Sequence, residues 1–333
     1  MGIGWNILAN NRIVIFGAAG FIGFHLAAAL AKNQKSELVL VDNFVRSEFD
    51  SEFKELINKP NCDFIEADAR DVKILEQIIK PEDVVFNLIA FNGTGNFYEV
   101  PSDVISHSAL TGINIALVCA TKKVKSYFYF GSSESYAGGI ENSWVPLPTP
   151  EKVPFVISDP SNPRWSYAIS KQIGEMACYA NGLQYGLNFL IFRIHNIYGP
   201  RMGFDHVVPD LIRKFAKGDG TVLGPDQTRS FLFIDDAVNL ILDLAIQFEL
   251  GAISENVINI GTDSEIRIDE VAEILKNLIN PDLKLVSQDA PAGSVARRKP
   301  DLGVLRKYLS FNPLSITEGL ALTKQDYFQN QRF

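Results

Sequence analysis

The segment GSSESYAG (131–138) sets Ser132, Ser133, Glu134 and Tyr136 directly after KVKSYFYF, an aromatic and β-branched run that reads as a buried strand. Hydroxyls and a carboxylate at a strand end can hold a reacting oxygen or move a proton, and α/β enzymes gather their chemistry there. Further along, SYAISK (166–171) spaces Tyr167 and Lys171 four apart, on one face of a helix. A lysine cation beside a phenol favours the phenolate and lowers the phenol's pKa. A tyrosine tuned in this way can take a proton from a hydroxyl while hydride leaves the same carbon. The YxxxK spacing alone also arises incidentally on ordinary helices, so its meaning depends on the rest of the chain.

A site for the hydride's acceptor is offered by FGAAGFIG (16–23), which follows the strand-like RIVIF and opens a helix. Gly17, Gly20 and Gly23 permit a tight turn and let backbone amides approach a pyrophosphate at the helix N-terminus. A glycine-rich turn with no ligand has the same local pattern. The next strand, ELVLVD, ends in Asp42, where a carboxylate would bind the adenosine ribose and repel a 2′-phosphate. NAD is therefore expected over NADP, with Arg46 close enough to keep NADP open. Asp68, ending DFIEAD, either caps the adenine amino group or is a plain turn aspartate. Phe21, Ile22, Asn43, Ala69, Leu88 and Ala90, beside these loops and strand ends, complete the expected cofactor set.

Elements that position these groups alternate: RIVIF, ELVLVD, DFIEAD, DVVFNLIA, SYFYF and LNFLIFRI, with helical stretches between. That rhythm predicts an α/β fold with a doubly wound parallel Rossmann sheet. The expected division is an NAD-binding domain over 1–195, with 228–262 partly returning to it, and a smaller mixed α/β substrate lobe over 196–333.

Composition limits the alternatives. The 333 residues are 47% hydrophobic and 21% charged, with a net charge of −8 and no long basic run, which argues against a nucleic-acid surface. Cys62, Cys119 and Cys178 lack CxxC spacing and read as buried hydrophobes in a reducing compartment. His25, His107, His195 and His206 lack metal spacing, so no metal is expected. The start, MGIGWNILANNR, lacks the pattern of a signal peptide, and Asn6 stands where a myristoylation signal needs Ser or Thr. No apolar run approaches the ~20 residues of a membrane span. A cytoplasmic protein with no membrane partner is expected.

Taken together, the glycine loop, Ser132 and the Tyr167–Lys171 pair resemble the extended short-chain dehydrogenase/reductase family along nearly the whole chain. The resemblance implies that Ser132 hydrogen-bonds the reacting hydroxyl, Tyr167 is the base and Lys171 holds the nicotinamide ribose. RIHNIYGPRM (193–202), QTRSF (227–231) and ARRKPDL (296–302) resemble segments of nucleotide-sugar enzymes, above all UDP-glucuronate decarboxylases. By that resemblance Asn196 contacts the substrate's diphosphate or sugar, and Arg229 and Arg298, rather than Arg297, grip its phosphates.

The resemblance implies a start by oxidation of the sugar at C4, or a neighbouring carbon, by NAD. The SSE of 132–134 resembles TSE of the decarboxylases and TDE of the 4,6-dehydratases. Glu134 would then remove the C5 proton of a 4-keto sugar, unless it is only a turn residue. Ser133 is a substrate contact standing where dehydratases carry an aspartic acid, which disfavours dehydration. Departures from the decarboxylase pattern include Ala137, His195, Ile197, Ala109 in place of an asparagine, and a longer loop over 138–163 expected to wall the sugar site.

Three readings follow. One is C4 oxidation followed by epimerisation or decarboxylation with retained cofactor. Another is a net C4 dehydrogenase releasing the keto sugar. The third is a non-catalytic NAD sensor, which the intact Ser132–Tyr167–Lys171 set argues against. The helices at about 102–121 and 165–181 resemble those forming a four-helix bundle in family homodimers, with Ile169, Ile173 and Met176 on the face; ordinary packing on the sheet suits them too.

Overall fold

RIVIF and ELVLVD have no polar face, so a sheet built from them must be covered on both sides. The computed structural model describes residue 8, residues 10–290 and residues 295–333, and it has that arrangement. Met1–Asn6, read above for leader and acylation signals, lies outside the described residues. Strands β1 (Arg12–Phe16), β2 (Glu37–Asp42), β3 (Cys62–Glu66), β4 (Val84–Asn87), β5 (Ser126–Ser132) and β6 (Phe189–Ile194) join with Val257–Ile260 in one seven-stranded parallel sheet. From one edge the order is Val257–Ile260, β6, β5, β4, β1, β2, β3.

Alternate residues feed two cores. Ile13, Ile15, Leu38, Leu40, Phe86 and Phe128 pack with Leu26 of the helix Phe21–Leu30 and Leu240 of the helix Ile234–Glu249. Val14, Phe16, Val39, Val85 and Tyr127 face the other way, against Ile115 and Cys119 of the helix Pro101–Lys122 and Cys178 of the helix Trp165–Tyr185. Those two long helices touch through glycine. A Cβ on Gly112 would lie 3.0 Å from the Gly174 Cα, and one on Gly174 would strike the Tyr129 hydroxyl at 2.0 Å.

The strands match the sequence expectation with two consequences for the site. β3 stops at Glu66, so Asp68 lies beyond it, and β4 stops at Asn87, so Leu88 and Ala90 are loop residues. One expectation needs correction. An 18-residue stretch of the helix Pro101–Lys122 has a mean hydropathy of 1.5, so the helix is long and apolar enough by composition to cross a membrane, but 56% of that stretch is buried inside the protein.

From β1 the chain builds outward through β2 and β3, then returns to lay β4 on the other side of β1. That reversal opens a crevice at the carboxyl ends of β1 and β4, where open α/β sheets bind ligands. Beyond β6, short pairings build the facing wall. Thr228–Arg229 lies between Ile266–Arg267 (antiparallel) and Arg297–Arg298 (parallel), and Thr221–Leu223 pairs with Val286–Gln288.

Candidate active site

β1 runs into Gly17, whose φ of 79° is a left-handed state open to glycine without strain. A Cβ on Gly23 would meet the Gly17 carbonyl oxygen at 2.0 Å, so only glycine lets the helix start against its own loop. Gly20 caps that helix with no side-chain cap and no acidic residue in the first turn. The first amide N–H groups are thus left for an anion, with the positive end of the helix behind them. The cradle fits the pyrophosphate of a dinucleotide.

Gly17, Gly20, Phe21, Ile22, Gly23, Leu88 and Ala90 line a cleft of about 1270 Å³ that also holds Ser132, Ser133, Glu134, Tyr167, Lys171, Asn196, Arg229 and Arg298. Asp42, Asn43, Asp68 and Ala69 are not among its lining residues. The Asp42 carboxylate accepts from the Ala19 and Phe44 amides and the Ser47 hydroxyl, each at 2.9 Å, and so pins the glycine loop. Asp68 accepts from the Arg70 amide and guanidinium, whose side-chain hydrogen bonds hold it below the ordinary carboxylate range. Those are the contacts a turn aspartate makes. Arg46 pairs with Asp205 at 2.9 Å and lies over the Phe91 ring, so it does not stand free to meet a 2′-phosphate.

Ser132 ends β5, and its Oγ accepts from the Glu134 amide at 3.2 Å, capping the 3₁₀ turn Ser133–Tyr136. The hydroxyl hydrogen is left for Tyr167, whose phenolate it stabilises. Tyr167 is buried flat against Phe97, with ring centroids 5.3 Å apart and planes 9° apart. Lys171 is buried too, and its Nζ donates to the Phe130 carbonyl at 2.8 Å and the Ile89 carbonyl at 2.9 Å. Burial pulls the ammonium down to about 7, against the opposing pull of Glu175.

The expectation that the phenol is lowered is corrected here. Burial pushes the Tyr167 phenol above its ordinary range; Ser132 works against that rise and Glu134 adds to it. Desolvation dominates because Lys171 directs its hydrogen bonds to two backbone carbonyls, and a weakened cation offers a phenolate less support.

Glu134 sits among arginines. The parallel pairing of Thr228–Arg229 with Arg297–Arg298 sets Arg229 opposite Arg298. Strand alternation then sends Arg298 into the cleft and Arg297 outward to Glu265, at 2.7 Å. Arg298 is ion-paired with one Glu134 oxygen, and Arg164 reaches the other at 3.1 Å. Burial alone would raise Glu134, but the two guanidiniums outweigh it and hold the carboxyl at about 2. Glu134 is thus a fixed anion and a weak base in this state. Arg229 is pulled down to about 9, first by burial and then by Arg298, with Glu134 opposing and Arg164 adding.

Arg164 was not singled out from sequence. It lies three residues before Tyr167 at the start of the same helix, and that spacing was the available signal. Asn196 has a φ of 35°, and its buried side-chain nitrogen finds no partner among the described residues. A left-handed, unsatisfied asparagine in a cleft is strain of the kind found at ligand sites.

The loop over 138–163 does not line the cleft, contrary to expectation. It is tied to the sheet instead, through Glu151. Arg193 pairs with Glu175 at 2.7 Å and donates to the Tyr136 hydroxyl and the Glu151 carbonyl. Glu151 accepts from the Asn259 amide, and Tyr136 donates to the Asn259 side chain.

Comparison with known proteins matches residues 13–261 to the model of the NAD dependent epimerase/dehydratase family. The chain is 32% identical over 327 residues to a UDP-N-acetyl-alpha-D-glucosaminuronate decarboxylase of Bacillus cytotoxicus, covering 95% of this chain and 97% of that one. It is 30% identical over 325 residues to UDP-glucuronic acid decarboxylase 5 of Arabidopsis thaliana, covering 96% and 90%. Among solved structures, UDP-glucose 4-epimerase of Thermotoga maritima with UDP-glucose superposes with a TM-score of 0.81 at 26% identity, covering 96% and 99%.

Proposed function

The chain belongs to the NAD dependent epimerase/dehydratase family, and from that premise we propose that it oxidises a nucleotide-diphosphate hexuronate at C4 and then decarboxylates it at C6, retaining its cofactor. NAD, when bound, would supply the acceptor for a hydride from the sugar carbon and the donor for its return. Gly17, Gly20 and Gly23 would hold its pyrophosphate and Lys171 its nicotinamide ribose. One observation carries the choice of substrate: Arg164 and Arg298 pair with the buried carboxylate of Glu134, and Arg229 stands beside Arg298, in the cleft that holds Ser132 and Tyr167. Guanidiniums gathered in a desolvated part of the cleft suit an anionic ligand. Arg229 and Arg298, side by side on paired strands, suit a diphosphate. Arg164, on the helix of Tyr167, suits a second anionic group on the sugar itself.

The roles follow from position. Ser132 would donate a hydrogen bond to the C4 oxygen, and Tyr167, once the positive charge of a bound nicotinamide offsets the effect of burial on its phenol, would take that oxygen's proton. The C4 ketone makes a C6 carboxylate a β-keto acid, which loses CO2 readily: the C5–C6 electron pair passes into the enolate of the C4 ketone, and C5 then takes a proton from solvent. Arg164 orients the carboxylate before the loss, and Glu134 holds Arg164 in place. C4 epimerisation is a second reading, favoured by the likeness to the solved UDP-glucose 4-epimerase. We further propose a cytoplasmic homodimer; its three buried free cysteines suit a reducing compartment.

Mass spectrometry of UDP-, GDP-, CDP- and dTDP-linked hexoses and hexuronates tests the reading. A hexuronate should lose CO2 while NAD stays with the protein. A product of unchanged mass selects epimerisation. Loss of two hydrogens with one NADH released per sugar selects the net dehydrogenase and overturns the proposal.

A further inference from the structure

Three segments far apart in sequence meet at the end of the cleft beside the glycine loop and β2. Arg46, Asp50 and Glu52 follow β2, Arg201 and Asp205 follow the short strand Ile197–Tyr198, and Arg332 lies near the C-terminus; all line the cleft. Arg201 is 7% exposed, pairs with Asp50 at 2.5 Å and also pairs with Glu52. Its φ of 67° is left-handed, and its guanidinium lies 3.9 Å above the ring of Phe24, on the helix that forms the anion cradle. Arg332 bridges Glu52 and Asp326, each at 2.6 Å. Arg46 and Asp205 pair with the charges reversed.

We propose that these bridges form an ionic clasp that retains NAD in the cleft between turnovers. A single exposed ion pair is worth little. Here two arginines share one carboxylate, and Arg201 is buried, so opening the clasp leaves a desolvated guanidinium unpaired. A molecule lying under the bridges leaves only after they open, so the clasp acts on the rate of release. The glycine fingerprint and Asp42 belong to binding; the clasp belongs to residence time. A retained cofactor is what an internally balanced reaction requires, since the hydride must come back to the sugar it left. The inference rests on NAD as cofactor but not on any sugar or product, so the mass-spectrometric test and the one below fail independently.

The test is stopped-flow release of NADH from the full-length protein, followed by its fluorescence after a chase with excess NAD. Glu52→Gln and Arg332→Gln should each speed release about tenfold, and the double variant should do little more than Glu52→Gln, because Glu52 already takes part in the bridge that Arg332→Gln breaks. Arg332→Lys should recover part of the slow release. In the unmodified protein, release should quicken as KCl rises from about 50 to about 500 mM, and this dependence should flatten in Glu52→Gln. Release within twofold of the parent for both glutamine variants overturns the clasp. So does salt-independent release in the unmodified protein, a measurement that needs no variant to fold.

Discussion

Lys171 is a buried cation that donates to two backbone carbonyls, and burial still draws its pKa from 10.5 down to about 7. Between those values the unfolded chain binds a proton that the folded one does not. Stability of the cofactor-free protein should therefore rise with pH across that window and be insensitive to this group below about pH 7. Lys171→Met should remove a slope of up to about 1.4 kcal/mol per pH unit, read by urea unfolding at several pH values between about 7 and 10. An identical pH dependence in the variant would place the titration elsewhere. Tyr167→Phe keeps the ring against Phe97 and deletes only the proton acceptor. Turnover should fall about 10²–10⁴-fold while bound NAD is kept, measured as product formed beside the cofactor content of the purified protein. Full turnover in that variant would remove Tyr167 from the chemistry. Both residues were legible in the sequence because their spacing lies within one helix. Their protonation was not, since desolvation depends on everything packed around them.

At the scale of elements, the helices Pro101–Lys122 and Trp165–Tyr185 approach closely enough that Gly112 and Gly174 meet over Tyr129. Gly174→Ala places a methyl 2.0 Å from the Tyr129 hydroxyl. The tyrosine is fully buried in the sheet, so its ring has no open space to take, and the overpacking should cost about 1–3 kcal/mol in urea unfolding. A variant as stable as the parent would show that the helices can part freely. The long strands were legible because both their faces are apolar. The two-residue strands Thr228–Arg229 and Arg297–Arg298 were not, because two residues carry no period. Yet their register is what separates Arg298, in the cleft, from Arg297, bound to Glu265.

On the whole molecule, the same two helices present Leu183 at 93% exposure and Met176 at 66%, with Leu110, Ile113 and Leu117 less exposed beside them. Apolar groups in such a row are costly in water and suit the homodimer proposed above. Met176→Glu with Leu183→Glu should convert the dimer to a monomer in sedimentation velocity; a parent that already sediments as a monomer would end that proposal. The sequence by itself determined the alternating α/β frame, the glycine cradle and the order Ser132, Tyr167, Lys171. Each is built from patterns local in sequence, where periods of about two or about 3.6 residues define neighbours within an element and the elements follow one another in order. Only the tertiary structure decided which charges meet. Arg164 reaches Glu134 across 30 residues of chain, and Arg332 reaches Glu52 across 280. Such partners are chosen by how separate elements pack, and their pKa values by the water that packing excludes, so no local pattern carries either.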